Sequence, residues 1–219
     1  MLKDGSKTKR MYLNKETIQQ LPKIKRLNLI NAVTGIKPAN LIGTRSNNGI
    51  SNLAIFSSIV HLGSNPALLA FVLRPQKEVR RHTYENILEN GCFTVNHIHR
   101  AFMQKAHYTS VKAEKEVSEF DLCALTEEYV EGFHAPFVKE SKLKIGLRHK
   151  ESIPIKQNDT ILVVGEIEHL MLAKEAVNEE GYINLEEMEN VGISGLNSYY
   201  GLSKLADYPY ARLEEIPAF

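Results

Sequence analysis

Thr83-Tyr84-Glu85-Asn86-Ile87-Leu88-Glu89-Asn90-Gly91-Cys92-Phe93-Thr94-Val95-Asn96 is the stretch on which the fold turns. Thr83 stands where a helix N-cap is expected, and Gly91 stands where a left-handed C-cap is needed. The apolar run from Cys92 to Asn96 then reads as a strand. Upstream, Asn65-Pro66 breaks the chain before Ala67-Leu68-Leu69-Ala70-Phe71-Val72-Leu73. That run lacks alternation, so the expectation is a strand buried on both faces. Earlier still, Ala39 to Arg45 and Ser51 to Phe56 read as partner strands. Asn47-Asn48-Gly49 between them is a turn, because Asn and Gly tolerate positive φ.

Beyond Asn96, residues 100–130 are mixed and partly helical. Lys142 to His149 alternates, with Leu143, Ile145 and Leu147 on one face, and Thr160 to Leu172 is a second long strand. Near the start, Asn14 caps a short helix that runs to Leu21 and stops at Pro22. Several strands with helices inserted among them predict a mainly β fold, a barrel with added helices. Regular βαβ alternation is missing, which argues against a doubly wound sheet.

Composition narrows the classes. The chain has 219 residues with 27 Lys plus Arg and 26 Asp plus Glu, a net charge of +1, so it is not built to coat nucleic acid or an anionic membrane. The longest apolar run, Ala67 to Leu73, is far short of the ~20 residues that span a bilayer. Met1 to Arg10 is basic with no apolar stretch behind it, so no secretory signal is expected. Cys92 and Cys123 have no metal or redox spacing and occupy packing positions. The expected setting is cytoplasmic. The expected organisation is a single domain over 1–219, with a flexible tail at 1–12, a barrel core over about 25–175 and a C-terminal extension over about 176–219.

No dinucleotide fingerprint, Walker loop, nucleophile elbow or zincin helix is present. His97-x-His99, with His107 nearby, has a spacing that could hold a metal or simply pack, and no metal is expected there. Two segments carry more chemistry. Asn52-Leu53-Ala54-Ile55-Phe56-Ser57-Ser58 leaves a strand for a loop, and Arg80-Arg81-His82-Thr83-Tyr84-Glu85-Asn86-Ile87 opens the helix. A helix start offers unpaired N–H groups and a partial positive charge. With Arg80, Arg81 and the Thr83 hydroxyl it makes a phosphate site. The alternative is that Thr83 only caps the helix and the arginines are solvated.

The order of these segments resembles the flavin reductase-like family. The hairpin, the Asn52-to-Ser58 loop, Asn65-Pro66, the apolar strand, Arg-x-Thr-x-x-Asn-Ile and Gly91-Cys92-Phe93-Thr94-Val95-Asn96 carry the resemblance. Asp159-Thr160-Ile161-Leu162-Val163-Val164-Gly165-Glu166-Ile167 is similar to the family's closing strand. The resemblance covers about residues 38–170. It departs at His82, where the family usually has Asp, and at Ala67, where the family has a second proline.

The resemblance implies an FMN-binding split barrel and an enzyme that passes a hydride from NADH or NADPH to flavin. It implies that Asn52, Leu53, Ala54, Ile55, Phe56, Ser57 and Ser58 line the flavin. Arg81 and Thr83 would hold the phosphate, with Arg80 as a second cation, and Asn86 belongs to the same helix start. Asn197-Ser198-Tyr199-Tyr200-Gly201 would cover the site or form a packed C-terminal segment. No general acid or base is implied, because the flavin does the organic chemistry. Homodimers are typical of the family. The other class of function that fits is an FMN-binding electron carrier that works with a partner redox protein and needs no nicotinamide.

Overall fold

A computed structural model of the chain describes residues 10–76 and 81–218. Two short helices come first, α1 (Lys15–Gln20) and α2 (Lys23–Ala32), and neither buries a residue. Asn14 caps α1, its Oδ1 accepting the Thr17 N–H at 2.9 Å. The strands β1 (Lys37–Pro38), β2 (Asn40–Arg45), β3 (Ser51–Phe56), β4 (Ile59–Ser64) and β5 (Ala67–Leu73) follow. Helix α3 (His82–Asn90) leads into β6 (Cys92–His97), and α4 (Met103–Tyr108) and α5 (Glu119–Leu122) come next. The two-residue strands β7 (Glu127–Glu128) and β8 (Phe137–Val138) precede the long pair β9 (Lys144–Ile155) and β10 (Thr160–Met171). The last strands are β11 (Val191–Ser194) and β12 (Ser198–Gly201).

Seven strands form one sheet in the order β3-β2-β6-β9-β10-β5-β4. Its two end strands, β3 and β4, are joined only by Ser57 and Ser58, so the sheet curls until its edges approach each other. Ser58 extends the β4–β5 ladder: its hydroxyl donates to the Val72 carbonyl at 3.0 Å, and the Val72 N–H donates to the Ser58 carbonyl at 3.3 Å. The period of two along each strand sorts side chains to two cores. Ile42, Phe71, Phe93, Val95, Leu143, Ile145 and Leu147 fill the barrel interior, where Phe71 meets Phe56 and Phe93 edge-on. Leu41, Leu53, Phe102, Ala106 and Phe120 make an outer cluster where α4 and α5 cover the sheet. Cys92 and Cys123 are free and buried.

One sequence expectation is corrected here, and one strand was not anticipated. The apolar run of β5 is not buried on both faces. It pairs on both edges, with β4 and β10; Phe71 and Leu73 are buried on the interior face, whereas on the other face Ala70 is buried and Leu68 and Val72 are half-covered. Strand β4 itself had no clear signal, because a register shift between His61 and Gly63 interrupts its alternation.

Candidate functional site

Helix α3 closes one end of the barrel beside β2 and β3. Its left-handed C-cap is Gly91 (φ 68°), as the sequence requires. Its N-cap is not Thr83 but Arg81, whose side chain makes no capping bond. Thr83 lies two positions further in, buried, where its Oγ1 accepts the Asn52 Nδ2–H at 3.0 Å. One turn on, the Asn86 Nδ2 donates to Thr44 Oγ1 at 3.1 Å. Asn52 and Thr44 are cross-strand partners on one face of the β2–β3 pair, so these two bonds lash α3 to the sheet along a single rung.

That arrangement leaves specific groups free. The Thr83 hydroxyl spends an acceptor lone pair on Asn52 and keeps its proton to donate. The Asn86 Oδ1 is buried with no partner. The Arg81 Nε is likewise buried without one, and burial together with the neighbouring Arg74 pushes the guanidinium pKa down. Two cations held close at a helix start favour an anion between or beside them. Arg80, the second cation expected from the sequence, lies outside the described residues.

Strand β3 supplies the other half. It is an end strand, paired only with β2, so one edge carries unpaired backbone groups. Glu119 of α5 accepts the Leu53 N–H at 2.9 Å on that edge. Ser51, two residues before, bonds to Ser118 at 2.7 Å and to the Glu127 carboxylate. At Leu53 the edge is therefore capped by protein. By the two-residue period, the Ile55 N–H and C=O point to the same side, beyond the reach of this cap. Among the described residues, no hydrogen bond reaches the Ile55 backbone on that edge, so it is open there. Glu119 is buried, which raises its pKa against the lowering effect of the Leu53 bond and nearby His82.

The predicted residues thus divide by what they touch. Leu53 and Ile55 send their side chains to the outer cluster and offer backbone to the edge, while Phe56 points into the barrel. Ala54 pairs with Ile42 on the interior face. Ser58 uses its hydroxyl on Val72, which leaves Ser57 as the uncommitted serine of the loop. Tyr199 packs on the outer cluster, and its hydroxyl bonds His107 Nδ1 at 3.0 Å. Sequence reasoning missed Glu119, Thr44 and Arg74. Each acts across the fold and has no local motif.

The three histidines have separate partners. His99 Nε2 meets the Glu140 carbonyl at 2.8 Å, and His97 Nδ1 accepts the Asn190 Nδ2–H at 3.1 Å. Among the described residues, no three His, Cys, Asp or Glu side chains gather as a metal site. Burial lowers the His97 pKa to about 4. Between about 4 and the ordinary 6.5 the unfolded imidazole takes a proton that the folded one refuses. Stability from this group is therefore full above pH 6.5 and falls as the pH drops towards 4, by up to about 3 kcal/mol. His97→Gln should flatten that part of the acid-unfolding curve, measured by urea titration at stepped pH.

A second expected outcome concerns Thr83. Thr83→Ala removes no cap, contrary to the sequence reading, but orphans the buried Asn52 amide. The cost should be about 1–3 kcal/mol in the flavin-free protein, with Thr83→Ser restoring most of it. Melting curves of the two variants check this.

The sequence matches the flavin reductase like domain family over residues 36–189. The chain belongs to that family. It is also similar to a solved protein from Shewanella frigidimarina described as a flavin reductase with a split barrel domain. The two share 43% identity with a TM-score of 0.88, over 92% of this chain and 100% of the other. Nitrilotriacetate monooxygenase component B from Bacillus cereus shares the fold at 19% identity and TM-score 0.80, over 91% and 98% of the two chains. Flavoredoxin of Desulfovibrio vulgaris does so at 22% identity and TM-score 0.70, over 81% and 92%. The fold is thus the split barrel that the sequence order implied.

Proposed function

We propose that this chain binds FMN and reduces it with a hydride from NADH or NADPH. The observation that carries the reading is the pairing of a half-capped strand edge with an anion-seeking helix start. FMN presents both complements: a flat ring with amide-like N–H and C=O groups on one rim, and a phosphate. The Ile55 backbone edge would meet the rim, and Ser57 is placed to meet the polar chain between ring and phosphate. Arg81, the Thr83 hydroxyl and the free N–H groups of the first α3 turn would hold the phosphate. The orphaned Arg81 Nε fits that group.

When bound, FMN supplies the hydride-accepting chemistry. The chain's own part is positional. Glu119 blocks the edge at Leu53, which limits where along β3 the ring rim can dock. The Asn52–Thr83 and Thr44–Asn86 bonds fix the helix start relative to that edge, which sets the distance between ring and phosphate subsites. No side chain here is assigned as general acid or base. We further place the protein in the cytoplasm as a homodimer that passes electrons to free flavin or to a redox partner protein. Among the described residues, no helix is long and apolar enough to cross a membrane.

The test is anaerobic mixing of the FMN-loaded protein with NADH and, separately, NADPH. The reductase reading expects one or both to bleach the visible flavin band rapidly and repeatedly as free FMN is added. If neither nicotinamide bleaches the band while a reduced redox protein does, the chain is an electron carrier.

A further inference from the structure

We infer that the C-terminal arm, residues 202–218, lies across helix α2 of a second copy of this chain; this rests on the homodimer reading above. After β12 every residue of the arm is exposed. Leu205, Tyr208, Tyr210 and Leu213 are 97%, 87%, 90% and 84% exposed. Among the described residues, the arm's hydrogen bond back to the body of the fold is the one from the Lys204 N–H to Glu186 Oε2, at 3.2 Å. A run of large apolar side chains standing in water marks an interaction segment.

The receiving face has the matching defect. Ile24, Leu27 and Ile30 share one side of α2, Val33 follows at its C-cap, and all are exposed. A ten-residue helix that buries none of its residues lacks the packing that normally holds so short a helix. Charge agrees with the apolar match. From Lys23 to Ala32 the helix carries Lys23, Lys25 and Arg26 and no acid, whereas the arm carries Asp207, Glu214 and Glu215 against Lys204 and Arg212, which pair with Asp207 and Glu215 and leave Glu214 as the acid in excess.

The place where the two segments meet the fold favours exchange over closure on one chain. Ile36, just after α2, and Leu202, at the root of the arm, both lie over Gly192 of β11. Each arm therefore leaves beside its own α2, yet both surfaces stay exposed on the same chain. Two copies related by a two-fold axis satisfy both defects at once, each arm on the other's α2. The stretch from Leu205 to Ala218 spans up to ~46 Å when extended, at ~3.3 Å per residue, enough to cross a subunit boundary.

The test uses the full chain with Tyr208→Cys, because Cys92 and Cys123 are buried and leave the new thiol as the reactive one. A flexible cysteine-to-lysine crosslinker is added after light scattering has fixed the oligomeric state. Expected is a covalent dimer on a denaturing gel, with peptide mapping of the link to Lys23 or Lys25, and loss of that band in Lys23→Arg/Lys25→Arg. A dimer by light scattering that links only within one chain, or to lysines elsewhere, overturns the arm exchange and leaves the homodimer standing. A monomer by light scattering overturns both.

Discussion

Arg81→Ala is expected to weaken FMN binding roughly ten- to hundredfold, the loss of one charge-assisted bond worth about 1.5–3 kcal/mol. The fold should survive, because the Arg81 side chain caps nothing and its Nε has no protein partner to lose. Removing it even relieves repulsion with Arg74. Riboflavin, which lacks the phosphate, is the control. Wild type should prefer FMN strongly, and the variant should lose most of that preference while its riboflavin affinity barely moves. Equilibrium titration by quenching of flavin fluorescence gives both constants. An unchanged FMN-to-riboflavin ratio would put the phosphate elsewhere.

Phe71→Ala should be the most damaging core change, about 3–5 kcal/mol, a large part of what a domain of this kind has to lose. Phe71 is fully buried in the barrel, with its ring 5.0 Å from Phe56 and 5.5 Å from Phe93. Phe56 is the last residue of β3, next to Ser57. The cavity would thus open beneath the open edge itself. Urea unfolding should show the stability loss, and any protein that still folds should bind FMN and riboflavin more weakly by the same factor. That shared factor distinguishes a loosened ring subsite from the phosphate-specific loss at Arg81.

Much of the barrel was legible because its strands announce themselves locally. Strand β3 runs from Ser51 to Phe56 as read, and Gly91 ends α3 in the left-handed conformation that its position demanded. What the sequence hid depends on pairing at long range. Thr83 looked like a cap because it precedes a helical run, but the cap is set by the backbone at Arg81. The Thr83 hydroxyl answers to Asn52, thirty-one positions away. Glu119 sits in the mixed stretch over 100–130, and only the fold brings its carboxylate to the Leu53 N–H. The half-capped edge, which limits where along β3 the ring rim can dock, was therefore invisible before the strand order was known. His82 shows the same limit. The family's usual acid is absent from that position, and the acid near it comes from α5.

The most direct test of the whole account is the visible spectrum of the purified chain, before and after denaturation, with and without added FMN. A split barrel with an open β3 edge and a phosphate-seeking α3 start predicts a protein-perturbed flavin band. Denaturation should release that flavin, which should be identified as FMN. A well-folded chain that stays colourless and leaves the spectrum of added FMN unperturbed would contradict it.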